Sequence, residues 1–166
     1  MKKSILLFVF ALTFQCVSAQ KNHSWAVDVS TGYEFYTQGS GGIFVVNTGI
    51  LKQISSKVSL GLTTGCQLPK EGDPIIPVLA DFRYTIPIEN SKVEILGIAR
   101  VGWYWNTGDS HGIMNNFGFQ VLPGVQLRAT DKIKVRLCAG FEKIFTTSSG
   151  GDFDMIPLQV GATFSL

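Results

Sequence analysis

Charge is scarce in this sequence. Asp, Glu, Lys and Arg make up 16% of 166 residues, 14 basic against 12 acidic, with only two histidines and three cysteines beside them. No run of Lys or Arg could neutralise a row of phosphates, so nucleic acid is not an expected partner. The cysteines form no C-x-x-C pair and no Cys/His cluster at metal spacing, which argues against a disulfide scaffold and a zinc site. Long apolar runs are missing too: the one continuous stretch, residues 5–14 broken only by Thr13, is about half the ~20 residues that a bilayer-spanning helix needs. Sustained helical stripes with caps are absent. A hydrophobic content of 45% disfavours disorder, and the length allows one domain at most.

The apolar stretch reads as an export signal. Met1-Lys2-Lys3 is a positive n-region, residues 5–14 form the h-region, and Val17-Ser18-Ala19 fits the small-x-small cleavage rule before Gln20. Residues 1–19 are therefore expected to be a signal peptide and residues 20–166 the mature domain. Cys16 follows Gln15 rather than a small residue, so lipidation is not expected. Losing Lys2 and Lys3 leaves 12 basic and 12 acidic side chains, a formal net charge of zero.

From Ser24 onward the pattern has period two. Trp25, Val27, Val29, Thr31, Tyr33 and Phe35 alternate with Ser24, Ala26, Asp28, Ser30, Gly32 and Glu34, as in a strand with one apolar and one polar face. The same alternation predicts seven more strands near 43–53, 58–68, 75–86, 93–105, 117–128, 133–145 and 155–166. Their connections alternate between short and mostly longer, Gly/Ser/Asp-rich segments, which places short and long ends on opposite sides of an up-and-down meander. The expected fold is all-β: an eight-stranded antiparallel up-and-down transmembrane β-barrel after an N-terminal signal peptide.

Alternation alone does not separate a membrane barrel from a soluble lipocalin-like one, which has the inverse sidedness. Three observations favour lipid. Glycines 32, 49, 61, 65, 102, 118, 124, 140 and 161 fall on the polar face, where a narrow lumen needs room beside long charged side chains, and only Gly97 falls on the apolar face. The polar face holds Asp28, Glu34, Asp81, Arg83, Glu94, Arg100, Arg128, Lys134, Arg136 and Glu142, near balance and suited to mutual pairing. The apolar face holds only Lys52 and Lys143, near strand ends where they can snorkel. Aromatics segregate by height: Tyr33, Phe35, Phe44, Trp103, Trp105, Phe117, Phe119, Phe141 and Phe145 at the long-loop end, Trp25, Phe82, Tyr84 and Phe164 at the other. Lipid-facing Val27, Leu60, Val78, Leu137 and Val160 are expected to resist charge, and polar-face Gln120 to tolerate change better.

An export signal ending Ala-Gln, eight alternating strands, Ile-Pro-Val-Leu-Ala-Asp-Phe-Arg-Tyr at 76–84, Leu-Pro-Gly-Val at 122–125 and a closing Val-Gly-Ala-Thr-Phe-Ser-Leu at 160–166 resemble the outer membrane β-barrel domain family, the small OmpA-like and PorT-like barrels of Gram-negative bacteria. The resemblance covers essentially the whole mature chain, through strand patterns of low individual specificity. It implies an outer-membrane location, contact with outer-membrane lipid and lipopolysaccharide, and insertion by the outer-membrane assembly machinery, which reads an amphipathic last strand ending in an aromatic. Here the chain departs from the pattern, since Leu166 is terminal and Phe164 lies two before it.

Some barrels of this kind modify lipid A with Ser and His near the outer leaflet. His111, flanked by Asp109 and Ser110 in the loop 106–116, is the one candidate, but successive side chains in a loop diverge and seldom form a relay. His23 reads as a solvated end residue. The long loops are acidic, with Glu71, Asp73, Asp109, Asp152 and Asp154 against Lys70. Asp152-Phe153-Asp154 offers oxygen ligands, but two carboxylates are too few for a Ca²⁺ cage and solvated loop charge is the preferred reading. Cys66, on the apolar face with Leu62 and Thr64, and Cys138, on the polar face with Arg136 and Gly140, are expected to be free. An eight-stranded interior is about filled by side chains, so Arg83, Arg100, Arg128 and Arg136 read as plug and stabiliser rather than as a selectivity filter. No catalytic, cofactor-binding or metal residue is assigned. The expectation is a non-enzymatic, monomeric barrel with a side-chain-filled lumen and a structural or interaction role in the envelope. The alternatives are a secreted or periplasmic soluble lipocalin-like barrel binding a small apolar ligand and, less favoured, a lipid A-modifying enzyme.

Overall fold

A computed structural model describes residues 25–38, 41–70, 72–108, 115–146 and 152–166. The strands are β1 (Trp25–Tyr36), β2 (Gly42–Gln53), β3 (Val58–Pro69), β4 (Ile75–Pro87), β5 (Val93–Asn106), β6 (Asn115–Arg128), β7 (Ile133–Ala139), β8 (Phe141–Phe145) and β9 (Phe153–Ser165). Every expected strand is present. The expected signal peptide, His23, Glu71, Asp109, Ser110 and His111 lie outside the described residues.

Each strand pairs antiparallel with its neighbours, and β1 closes on β9 from Ala26↔Ser165 to Tyr36↔Met155. Segments β7 and β8 occupy one place in the wall, both lying between β6 and β9, so the closed sheet is an eight-stranded barrel. The interruption at Gly140 has a local cause. Gly140 donates its N–H to Pro157 O at 3.0 Å, and Pro157 has no N–H to return the bond.

The register fixes the geometry. Passing from partner to partner, Ala26↔Leu51↔Gly61↔Asp81↔Arg100↔Gln120↔Glu142↔Met155↔Tyr36, one circuit returns to β1 ten residues beyond its start. With eight strands that shear tilts the strands by about 40°. Strands of 12 to 14 residues then rise about 30 Å along the axis, enough for the ~25 Å apolar band of an outer-membrane barrel. Three short turns tie one end: Ser55 Oγ accepts from Val58 N, Ser91 Oγ from Val93 N and Thr130 Oγ1 from Ile133 N. Asn90 takes φ 56° in the second turn, a left-handed conformation that asparagine tolerates.

Sidedness follows the pleat. Outward positions hold an aliphatic band including Leu60, Leu62, Val101, Val121, Leu137 and Val160, all exposed, with Trp103, Phe117 and Phe145 towards the long-loop end and Phe82, Tyr84 and Phe164 towards the short-turn end. So wide an apolar exterior is incompatible with water and matches lipid. Inward positions carry the buried charges, with a difference from the sequence reading: the interior is not polar throughout. Ile43, Val45, Leu79, Tyr104, Ile144 and Met155 form one buried apolar cluster towards the long-loop end. Leu96, Ile98, Leu122 and Cys138 form a second, lower in the barrel.

Candidate functional site

The chemistry-bearing side chains meet inside the barrel, where strands distant in sequence bring their inward faces together. Asp28 on β1 is fully buried and accepts from Arg83 Nη1 at 2.8 Å, from Arg136 Nη2 at 2.7 Å and from Thr163 Oγ1 at 2.7 Å, with Arg136 Nη1 on the same carboxylate. Asp81 and Arg83 are two apart on β4 and share the inner face, so the guanidinium grips the carboxylate with Nε and Nη2, both at 2.9 Å. Asp81 also accepts from Thr63 Oγ1 at 2.8 Å and Arg100 Nε at 2.9 Å. Glycine makes this layer possible at Gly161, where a Cβ would meet the Arg136 guanidinium at 2.8 Å and Val29 O at 2.7 Å.

Above this layer, glutamines relay Arg100 to two carboxylates. Arg100 Nη1 donates to Gln120 Oε1 at 3.0 Å and Gln159 Oε1 at 3.3 Å. The Gln120 amide then donates to Glu142 at 2.8 Å and Glu34 at 3.2 Å, and that of Gln159 to Glu34 at 3.3 Å. Gln67 donates to both, at 2.9 Å to Glu34 and 3.2 Å to Glu142. Two sequence expectations are corrected here. Glu34 and Glu142 are held by neutral amides rather than compensated by ion pairs, and Gln120 is a buried junction of the network rather than a tolerant lumen position. The amide bridges were not anticipated, since glutamine carries no charge to flag it.

At the short-turn rim Glu94 accepts from Arg128, from Lys134 Nζ at 2.9 Å and from Gln126 Nε2 at 2.6 Å. Arg128 is half exposed, so of the four arginines expected as a plug only Arg83, Arg100 and Arg136 are buried. Lys143 faces outward over Phe145, 5.4 Å from its ring, and bridges Asp152 at 3.4 Å and Asp154 at 3.2 Å. Asp154, read from sequence as a loop residue, belongs to β9, and this ion pair occupies the carboxylates considered for a cation. Lys52 lies over Trp25 at 5.7 Å, near the opposite rim. Cys66 and Cys138 are both free. Among the described residues no three His, Cys, Asp or Glu gather in a metal-binding group.

No protein-family model matches the chain, and no curated protein matches it in sequence. Solved structures do match its fold. Neisserial surface protein A superposes with a TM-score of 0.71 at 14% identity, over 88% of this chain and 98% of that one. Outer membrane protein H (OprH) from Pseudomonas aeruginosa gives 0.61 at 10% identity, over 86% and 99%. The N-terminal β-barrel domain of P. aeruginosa OprF gives 0.55 at 14%, over 86% and 100%. The closed eight-stranded sheet agrees with these likenesses, and the chain has the fold of the small eight-stranded outer-membrane barrels.

Proposed function

We propose that the protein is a non-enzymatic outer-membrane barrel, its lumen closed by its own side chains, with a structural or interaction role in the cell envelope. The observation that carries this reading is the buried interior network: Arg100, Asp81, Gln120, Gln159, Glu34 and Glu142 link strands from opposite sides of the wall, all at 2% exposure or less. An interior bound across its width in this way has no continuous water path for solutes, in keeping with the ~16 strands or more of diffusion pores. Above the network the Ile43–Tyr104–Met155 cluster adds an apolar lid.

Residues 1–19 act in this reading as a cleaved export signal, and the amphipathic β9, with Phe164 near its end, as the segment offered to the assembly machinery. Lipid and lipopolysaccharide are the partners of the apolar exterior, and the barrel acts as a monomer. Cell fractionation with mass spectrometry and a lipid A profile of overexpressing cells tests the reading. It expects the protein in the outer-membrane fraction, beginning at Gln20, with lipid A unchanged. Recovery in a soluble fraction points to the soluble-barrel alternative, and altered acylation restores an enzyme with His111 as its first suspect.

A further inference from the structure

The short-turn end repeats one lysine position around the barrel. Lys57, Lys92 and Lys132 each stand immediately before a strand, β3, β5 and β7, and each is exposed. Their carbonyls accept from the neighbouring strand across the last rung: Lys57 O from Thr85 N at 2.8 Å, Lys92 O from Arg128 N at 2.8 Å and Lys132 O from Ser165 N at 2.7 Å. Lys52 completes the set on the β1–β2 seam, paired with Trp25 and lying over its ring. Every second seam of the wall, β1–β2, β3–β4, β5–β6 and β7–β9, therefore ends at a lysine.

Among the described residues none of these four lysines forms an ion pair. Buried Glu94 is taken by Arg128 and Lys134, and Glu89 and Asp131 stand exposed in the turns. Six cationic side chains thus face three acidic ones at this end, among the described residues. At the long-loop end Lys70 and Lys143 face Asp73, Asp152 and Asp154, so the excess charge changes sign along the barrel axis. Height places the lysines at a bilayer boundary. Lys52 is paired with Trp25, while Lys57 and Lys132 directly precede the partners of Tyr84 and Phe164, all outward aromatics of the short-turn girdle. A protein partner would touch one side of such a rim, whereas lipid surrounds all of it, and lysines at headgroup height attract anionic lipid. We infer that the ring of Lys52, Lys57, Lys92 and Lys132 binds anionic phospholipid headgroups in the leaflet at the short-turn end. The inference rests on the membrane reading proposed above and adds a headgroup preference to it.

The test refolds the purified protein into phosphatidylcholine vesicles carrying a trace of spin-labelled phosphatidylglycerol or spin-labelled phosphatidylcholine. Electron spin resonance then gives the fraction of each label immobilised at the protein surface, and their ratio is the headgroup preference. The wild type is expected to favour phosphatidylglycerol by about twofold to fivefold at low salt, from the attraction of one lysine per headgroup. That preference is expected to vanish at about 1 M salt, where the Debye length is about 3 Å. Combined Lys52→Gln, Lys57→Gln, Lys92→Gln and Lys132→Gln replacement is expected to bring the ratio to unity, and Lys70→Gln, at the long-loop end, to leave it unchanged. A wild-type ratio of one with both labels immobilised overturns the inference and leaves the membrane reading intact. Absence of immobilised lipid with either label overturns both. A preference that survives the combined replacement, or that Lys70→Gln removes, contradicts the inference too. If the combined variant does not refold, the four single variants decide: each is expected to lower the ratio, and a ratio unchanged in all four is fatal to the inference.

Discussion

Arg100 and Asp81 face each other across the β4–β5 ladder, and Arg100 Nε donates to Asp81 Oδ2 at 2.9 Å. The same carboxylate receives both arms of Arg83. Asp81 is therefore shared by two buried guanidinium groups, and removing it leaves Arg100 with glutamine partners alone and Arg83 with Asp28 as its one carboxylate. Asp81→Ala is expected to cost about 3–5 kcal/mol, the range for breaking a buried pair by deleting one partner. Urea unfolding in micelles, followed by tryptophan fluorescence, measures this. A midpoint equal to wild type would mean that the interior pairs do not hold the barrel.

Two glycines on opposite faces make a matched comparison. A Cβ at Gly161 has the Arg136 guanidinium and a backbone oxygen within 2.8 Å, whereas at Gly97 the nearest atom is Tyr84 O at 4.0 Å. Gly161→Ala is expected to destabilise by about 1–3 kcal/mol through overpacking. Gly97→Ala is expected to be neutral or stabilising by up to about 1 kcal/mol, because alanine has less freedom to lose in a strand. Thermal unfolding of both variants checks the sign, and equal effects would contradict the inward placement of Gly161.

Lipid contact is tested by charge. Val160, 48% exposed on the outer face of β9, is expected to accept arginine at about 2–4 kcal/mol and with impaired assembly. Ile54, 55% exposed in the turn after β2, carries similar apolar exposure beyond the wall, and Ile54→Arg is expected to assemble normally. The amounts of heat-modifiable folded protein in membranes give the readout. Equal yields from the two variants would count against a lipid-facing β9.

Cys66 and Cys138 lie on β3 and β7, which are not neighbours, one outward and the other 1% exposed inside. Unchanged migration on non-reducing gels is expected, since a disulfide needs Cα atoms within ~7 Å and converging Cβ vectors. Cys138 is expected to resist alkylation until urea unfolds the barrel. Modification of Cys138 in the folded state would place it outside the lumen.

Strand positions were legible because period two survives wherever one face meets lipid and the other a charged lumen. In β1, Asp28, Ser30 and Glu34 stand against Val29, Tyr33 and Phe35. The signal fades in β5, where Ile95, Leu96, Ile98 and Ala99 make both faces apolar, and so the inner cluster of Leu96 and Ile98 went unread. Which charges meet was not legible at all. Asp28 and Arg136 are 108 residues apart and come together only through the shear of the closed sheet. The break between β7 and β8 is written in Pro157, but its effect on Gly140 is visible only once the register pairs them.

The central claim is a membrane barrel closed by its own side chains, and planar-bilayer recording tests it most directly. Purified wild-type protein is predicted to insert without steady ion conductance, the outcome expected if the Arg100 network and the apolar cluster above it close the lumen as proposed. Reproducible unitary conductance from the wild-type barrel, absent from matched detergent controls, would contradict it.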